Sequence, residues 1–175
     1  MLSRSRLPLL GALLCVLIAV MAPAAARAKS SSLAGVLSSR ELWATIDVCS
    51  PADQTNTVGV RGAMPGDGHS GDRMFMSFRL QYLNAATGTW LNLVKGASPS
   101  YVAVGPSAAA RQGGRSFQLV PVAGRPAVTM RGIVDYQWRR GRVVLQTAER
   151  TTTAGHRSLA GADPAGYSAA TCLIG

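Results

Sequence analysis

No stretch of this chain sustains the 3.6-residue apolar stripe of an amphipathic helix. The best helical candidate, Ser107 to Gln112, is stopped after little more than one turn by Gly113-Gly114. Without strands and helices in alternation there is no α/β-hydrolase framework. The order Ser70, Asp135, His156 that would suit one also lacks the Gly-x-Ser-x-Gly elbow, because Asp72 stands where the second glycine belongs. Histidine is rare, and neither of the two residues precedes Gly68-His69-Ser70-Gly71-Asp72, so a trypsin-like order of His, Asp, Ser is excluded as well. No zinc or calcium ligand spacing is present. Asp67, His69 and Asp72 sit in a Gly-rich loop that reads as an ordinary polar turn, His156 is far away in the chain, and no metal or other cofactor is assigned. Internal repeats are missing too. Acidic residues are few, eight Asp and Glu against 18 Lys and Arg, and only two of the basic residues are lysines.

What is present begins with a leader. Arg4 and Arg6 form a positive start, Leu7 to Met21 an apolar run, and Ala26-Arg27-Ala28 a small-residue cleavage site, the three parts of a secretory signal peptide over residues 1–28. The competing reading is an uncleaved anchor, since Leu7 to Ala26 is twenty residues long, enough to span a bilayer. Pro23 and its small neighbours favour cleavage. A lipid on Cys15 is disfavoured by Leu14 at the position where a small residue is required. Membrane attachment therefore follows only if the leader is retained. Cleavage removes three arginines and leaves 15 basic and 8 acidic residues, a formal +7 over 147 residues. That length makes one domain with a proper core.

Two cysteines then remain, Cys49 near the start of the folded part and Cys172 near the end. An even pair in an oxidising compartment predicts a disulfide that ties the first strand to the last. The alternative is a reactive Cys172 in a sortase-like transpeptidase, an exported β-barrel that uses His, Cys and Arg. That family's arginine follows its cysteine, whereas here Leu173, Ile174 and Gly175 do.

Residues 29–40 are Ser-rich and read as a flexible linker. From Leu42 the hydrophobic period is two. In Arg73 to Tyr82, Met74, Met76, Phe78, Leu80 and Tyr82 point inward and Arg73, Ser77, Arg79 and Gln81 outward, with Phe75 the exception. Val128 to Arg139 repeats the pattern, with Val128, Met130, Val134, Tyr136 and Trp138 inward and Thr129, Arg131, Asp135, Gln137 and Arg139 outward. Arg139-Arg140-Gly141-Arg142 turns into Val143 to Thr153 as a hairpin. Further strands are expected at Leu42 to Cys49, Thr57 to Ala63, Thr89 to Val94, Tyr101 to Val104, Ser116 to Val120 and Ala169 to Ile174, with Gly and Pro clusters between them. The expectation is an all-β fold, an antiparallel β-sandwich over residues 41–175.

Asp163-Pro164-Ala165-Gly166-Tyr167 has the D-x-A-x-Y spacing and resembles the tyrosine corner of immunoglobulin-like domains. The resemblance implies a sandwich that is immunoglobulin-like in outline. It departs at the cysteine, which in that family would fall at Ala169, while Cys172 lies five residues after the tyrosine.

Function is less legible, because this architecture hosts many roles. Arg73, Arg79, Arg131, Arg139, Arg140 and Arg142 share outward strand faces and one turn, a surface suited to an anionic polysaccharide, another envelope polymer or an acidic protein partner. No specific nucleic-acid recognition is indicated, and the bland reading of the same arginines is solubility. Trp90 has the weakest core assignment of the three tryptophans and is the candidate for stacking on a ligand, whereas Trp43 is expected to pack against the disulfide. The expectation is a monomeric, secreted or cell-envelope binding or structural module without catalytic residues. A secreted hydrolase or transpeptidase-like enzyme with an unrecognised site is the alternative.

Overall fold

The structure, a computed structural model, describes residues 33–94, 100–156 and 160–175. The expected signal peptide, residues 1–28, and the first four linker residues lie outside the described residues. Among the described residues one helical turn, α1 (Leu33–Val36), precedes nine strands: β1 (Trp43–Cys49), β2 (Thr57–Met64), β3 (His69–Asn84), β4 (Thr89–Asn92), β5 (Val102–Ser107), β6 (Arg111–Gln118), β7 (Val128–Arg140), β8 (Val143–Thr151) and β9 (Cys172–Ile174).

The period-two residues build the centre. Met74, Met76 and Leu80 of β3 and Val134, Tyr136 and Trp138 of β7 have no exposed surface, and the two strands pair antiparallel from Arg73↔Arg139 to Tyr82↔Met130. The other edge of β3 is shared between β5, from His69 to Met76, and β4, from Gln81 to Asn84. β7 is shared likewise, with β8 along Ile133 to Arg140 and β9 along Val128 to Met130. Six strands thus make a sheet four positions wide. The second sheet, ordered β1-β2-β6, is also antiparallel, and its Ala44, Ile46, Val58, Val60 and Met64 close the core against the first. The fold is an all-β sandwich, as the periodicity predicts.

The two layers are joined at several points. β1 bridges to Thr152, Asp163 and Ala169 along the edge that β2 leaves open, with Ile46 and Ala169 exchanging backbone hydrogen bonds of 2.9 and 3.0 Å. The chain then crosses to the large sheet, where β9 begins at Cys172. The expected disulfide is present: Cys49 at the end of β1 is bonded to Cys172 across a Cα separation of 5.5 Å, linking the sheets. The polar atoms of the two large core aromatics find partners. The Trp138 indole donates to the Pro65 carbonyl at 3.0 Å and the Tyr136 hydroxyl to the Trp43 carbonyl at 2.6 Å, while burial pushes the Tyr136 phenol far above its ordinary range.

Several local expectations are corrected. Ser107 to Gln112 is not helical: Ser107 ends β5, and Arg111 and Gln112 open β6. Gly113 and Gly114 are strand residues, because a Cβ on Gly113 would lie 2.9 Å from Val104 Cγ1 and one on Gly114 3.2 Å from the Val60 carbonyl. They permit close approach and do not stop a helix. Ser77 is buried although it belongs to the outward set, and Val128, expected inward, is 36% exposed at the start of β7. The strand expected from Ala169 shortens to Cys172–Ile174. Within the stretch read as a linker, Val36 is fully buried and the Leu37 carbonyl accepts from Arg150 at 2.8 Å, so residues 33–37 are docked on the domain. Trp43 does not pack on the disulfide. It stands at the opposite end of β1 from Cys49, about 20 Å away at the usual strand rise, and stacks on His156 with ring centroids 4.2 Å apart.

Candidate functional site

Antiparallel register sets the outer face of the large sheet into rows: Arg73 beside Arg139, Phe75 beside Gln137, Ser77 beside Asp135, Arg79 beside Ile133 and Gln81 beside Arg131. The six arginines singled out from the sequence fall on this face or at the hairpin beside it, in three different states. Arg79 is neutralised: it donates to Asp135 at 3.2 and 3.3 Å and to Glu149. Arg140 is likewise paired, its Nε and Nη2 on the two carboxylate oxygens of Asp72 at 2.7 and 2.9 Å. Arg131 and Arg139 sit over aromatic rings. The Arg131 guanidinium is 4.3 Å from the Trp90 centroid while Nε donates to Gln81. The Arg139 guanidinium is 4.1 Å from the Phe75 centroid and 5.1 Å from that of Tyr101, with Nε donating to Gln137 at 2.7 Å. Arg73 and Arg142 are exposed and have no ion pair among the described residues.

The rings have a physical role here. Each guanidinium–ring contact is worth roughly 0.5–1 kcal/mol at an exposed site and holds the cation in place without neutralising it. Phe75, the one break in the alternation of β3, is therefore an outward platform for Arg139. Asp135 falls in the outward set by spacing, but its pairing with Arg79 is not legible there, and neither Tyr101 nor Glu149 is identifiable as part of this face, since strand pairing alone brings them there. Trp90 is half-buried and one side of its ring is already taken by Arg131.

A second group lies where the loop before β3 meets the hairpin. The Asp67 backbone N–H donates to Ser107 Oγ at 3.1 Å and its carboxylate Oδ1 accepts from the His69 backbone at 2.8 Å, an Asx turn closed over Gly68, whose φ is 88°. Asp67 and Asp72 are both buried, His69 is exposed, and one ligand atom from each of the three lies within 4.8 Å of the others. The Arg140 guanidinium holds the Asp72 carboxyl below the usual carboxylate range, against the opposing effect of burial. A depressed folded-state pKa contributes stability above the unfolded value of about 3.9, and that contribution is lost as pH falls through the folded value. Arg140→Gln removes that contribution, so it is expected to lower stability most near neutral pH, to converge on wild type as Asp72 is protonated in acid, and to move the midpoint of acid unfolding to higher pH. Circular dichroism across an acid titration checks this, and an unchanged midpoint would refute it.

The structure does not assemble the other constellations. Asp135 belongs to Arg79, and His156, its pKa lowered by burial, is stacked on Trp43 with Nε2 2.9 Å from Thr153 Oγ1. Asp135 and His156 thus have separate partners. Cys172 is in the disulfide and offers no thiol. Asp163 to Tyr167 forms a turn beside β1, with the Asp163 N–H on the Asp47 carbonyl at 2.9 Å and Tyr167 packed against the core.

No family model matches the chain, and no curated protein matches it. Among solved structures it is similar to the Pseudomonas fluorescens alkylpurine DNA glycosylase AlkC bound to DNA containing an abasic site analog. The likeness has 13% sequence identity over 64% of this chain and 29% of that one, with a TM-score of 0.28, too slight to carry an argument. What stands on the fold itself is a disulfide-bonded β-sandwich. Among the described residues no helix is long and apolar enough to cross a membrane.

Proposed function

We propose that the protein is an exported binding module that holds an acidic polysaccharide on the outer face of its larger sheet. The observation that carries this reading is the cluster of Arg139, held over Phe75 and near Tyr101, with Arg73 as its neighbour across the strands and Arg142 at the adjoining hairpin. Flat rings suit the C–H faces of sugar rings, and guanidinium groups form charge-assisted, often bidentate hydrogen bonds to carboxylate or sulfate groups. Export is supported by the leader pattern and by the disulfide, a bond that persists in oxidising compartments.

The test is isothermal titration with polygalacturonate, using uncharged dextran as the control. Binding to the acidic polymer is expected to weaken by about tenfold or more between low salt and about 0.15 M, as exposed charge pairs are screened. The combined substitution Arg73→Glu, Arg139→Glu and Arg142→Glu is expected to abolish it. Arg140 is left in place because reversing it would strand buried Asp72. Equal binding to dextran, or full binding by the triple variant, would remove this face from consideration.

A further inference from the structure

Asp67 and Asp72 place two carboxylates side by side in a buried position, and the charge balance between them is incomplete. Arg140 answers Asp72 through both oxygens. Among the described residues Asp67 has no guanidinium partner. Its Oδ1 is held by the His69 N–H, with the His69 imidazole Nδ1 3.6 Å away, while its Oδ2 is buried with no hydrogen-bond partner among the described residues. Buried carboxylate oxygens are rarely left in that state, because removing such a group from water without a partner costs several kcal/mol. Its usual resolutions are a proton, an ordered water or a cation.

We infer that Asp67, His69 and Asp72 form a binding site for one divalent transition-metal ion, of the zinc or manganese class. Three observations support the assignment. The ligand atoms already lie within 4.8 Å of one another. That spread closes onto an ion with bonds of about 2.0–2.2 Å by turning one side chain, and the His69 side chain is 59% exposed and has room to turn. The donor set, two carboxylate oxygens and one imidazole nitrogen, selects a borderline ion over calcium or magnesium, which favour all-oxygen shells. The loop is fixed independently of any ion, through the Asp67 and Gly68 N–H groups on Ser107. Each carboxylate oxygen has a second lone pair, so Arg140 can keep its hydrogen bonds to Asp72 while the ion takes the other side. The arrangement leaves one coordination position on a tetrahedral zinc ion, or three on an octahedral manganese ion, for water or an anionic ligand.

The competing account is a single proton shared between the two carboxyls with no affinity for metal. Untagged protein is stripped with chelator and titrated with zinc and, separately, manganese by calorimetry, with melting temperature as a second readout. One equivalent is expected to bind with micromolar affinity and to raise the melting temperature in proportion to ligand excess. Asp67→Asn and His69→Ala are each expected to weaken binding by at least about the tenfold that loss of a supporting partner costs a metal site. His69→Ala removes an exposed side chain, so its metal-free melting temperature stays at the wild-type value and a folding failure is not confused with a lost ligand. Absence of saturable binding of either ion, or binding that both variants leave intact, overturns the assignment.

Discussion

Replacing Cys49 and Cys172 together by serine is expected to lower the melting temperature by about 10–20 °C. The bridge closes a loop with a sequence separation of 123 residues. In the chain-entropy account, constraining that much unfolded chain stabilises the native state by about 5 kcal/mol, and for a domain of this size each kcal/mol moves the midpoint by roughly 2–4 °C. The structural position points the same way. β9 has only three residues, pairs with β7 from Val128↔Ile174 to Met130↔Cys172, and carries the half-cystine that fastens the large sheet to β1. Without the bridge that short edge strand keeps its place by three backbone pairs and the burial of Ile174. Thermal melts of wild type with and without reductant, beside the double variant, provide the measurement. Reduced wild type should coincide with the variant, and a variant melting within a few degrees of the oxidised protein would show that the staple contributes little.

Trp138→Ala should be the most damaging single core substitution, at about 3–5 kcal/mol. Trp138 has no exposed surface and is the largest fully buried side chain among the described residues. Its removal leaves both a cavity between the sheets and the Pro65 carbonyl without its 3.0 Å donor. Trp138→Phe largely separates the two effects: it retains most of the volume and loses chiefly the hydrogen bond, for about 1–2 kcal/mol. Urea unfolding of the three proteins compares them directly. A Trp138→Ala cost below about 1 kcal/mol would mean that the site collapses or floods without penalty. Because Pro65 lies two residues before Asp67, the alanine variant is also expected to loosen the loop that presents the carboxylate pair.

Most strands were visible in the sequence because alternation is a local property, and β3 and β7 state it in successive residues. The misread stretches have non-local causes. Gly113-Gly114 looks like a helix stop, yet these glycines answer to Val104 and Val60 on other strands. Phe75 looks like an error of pattern until Arg139 is seen lying on it. Ala169 and Cys172 read as one strand, although they belong to different sheets. The basic face was legible as a set of outward arginines, but their states were not: Asp72 and Arg140 are 68 residues apart, and Arg79 and Glu149 are 70. Asp67, His69 and Asp72 are close in sequence and resembled an ordinary polar turn. Only the burial of the two aspartates distinguishes the group from one, and their partners, Ser107 and Arg140, are distant in sequence.

The way β1 is completed has a kinetic consequence. It finds β2 across a short loop, so that half of its pairing can nucleate early. Its opposite edge waits for Thr152, Asp163 and Ala169, each more than a hundred residues downstream. Contacts at that separation slow folding, since the entropy of a long loop is lost before any of them forms. Until they arrive, an apolar strand with unpaired N–H and C=O groups stays open to other chains, the kind of edge that seeds aggregation. The crossover that locks the finished sandwich is thus also the step during which the nascent chain is most vulnerable to its neighbours.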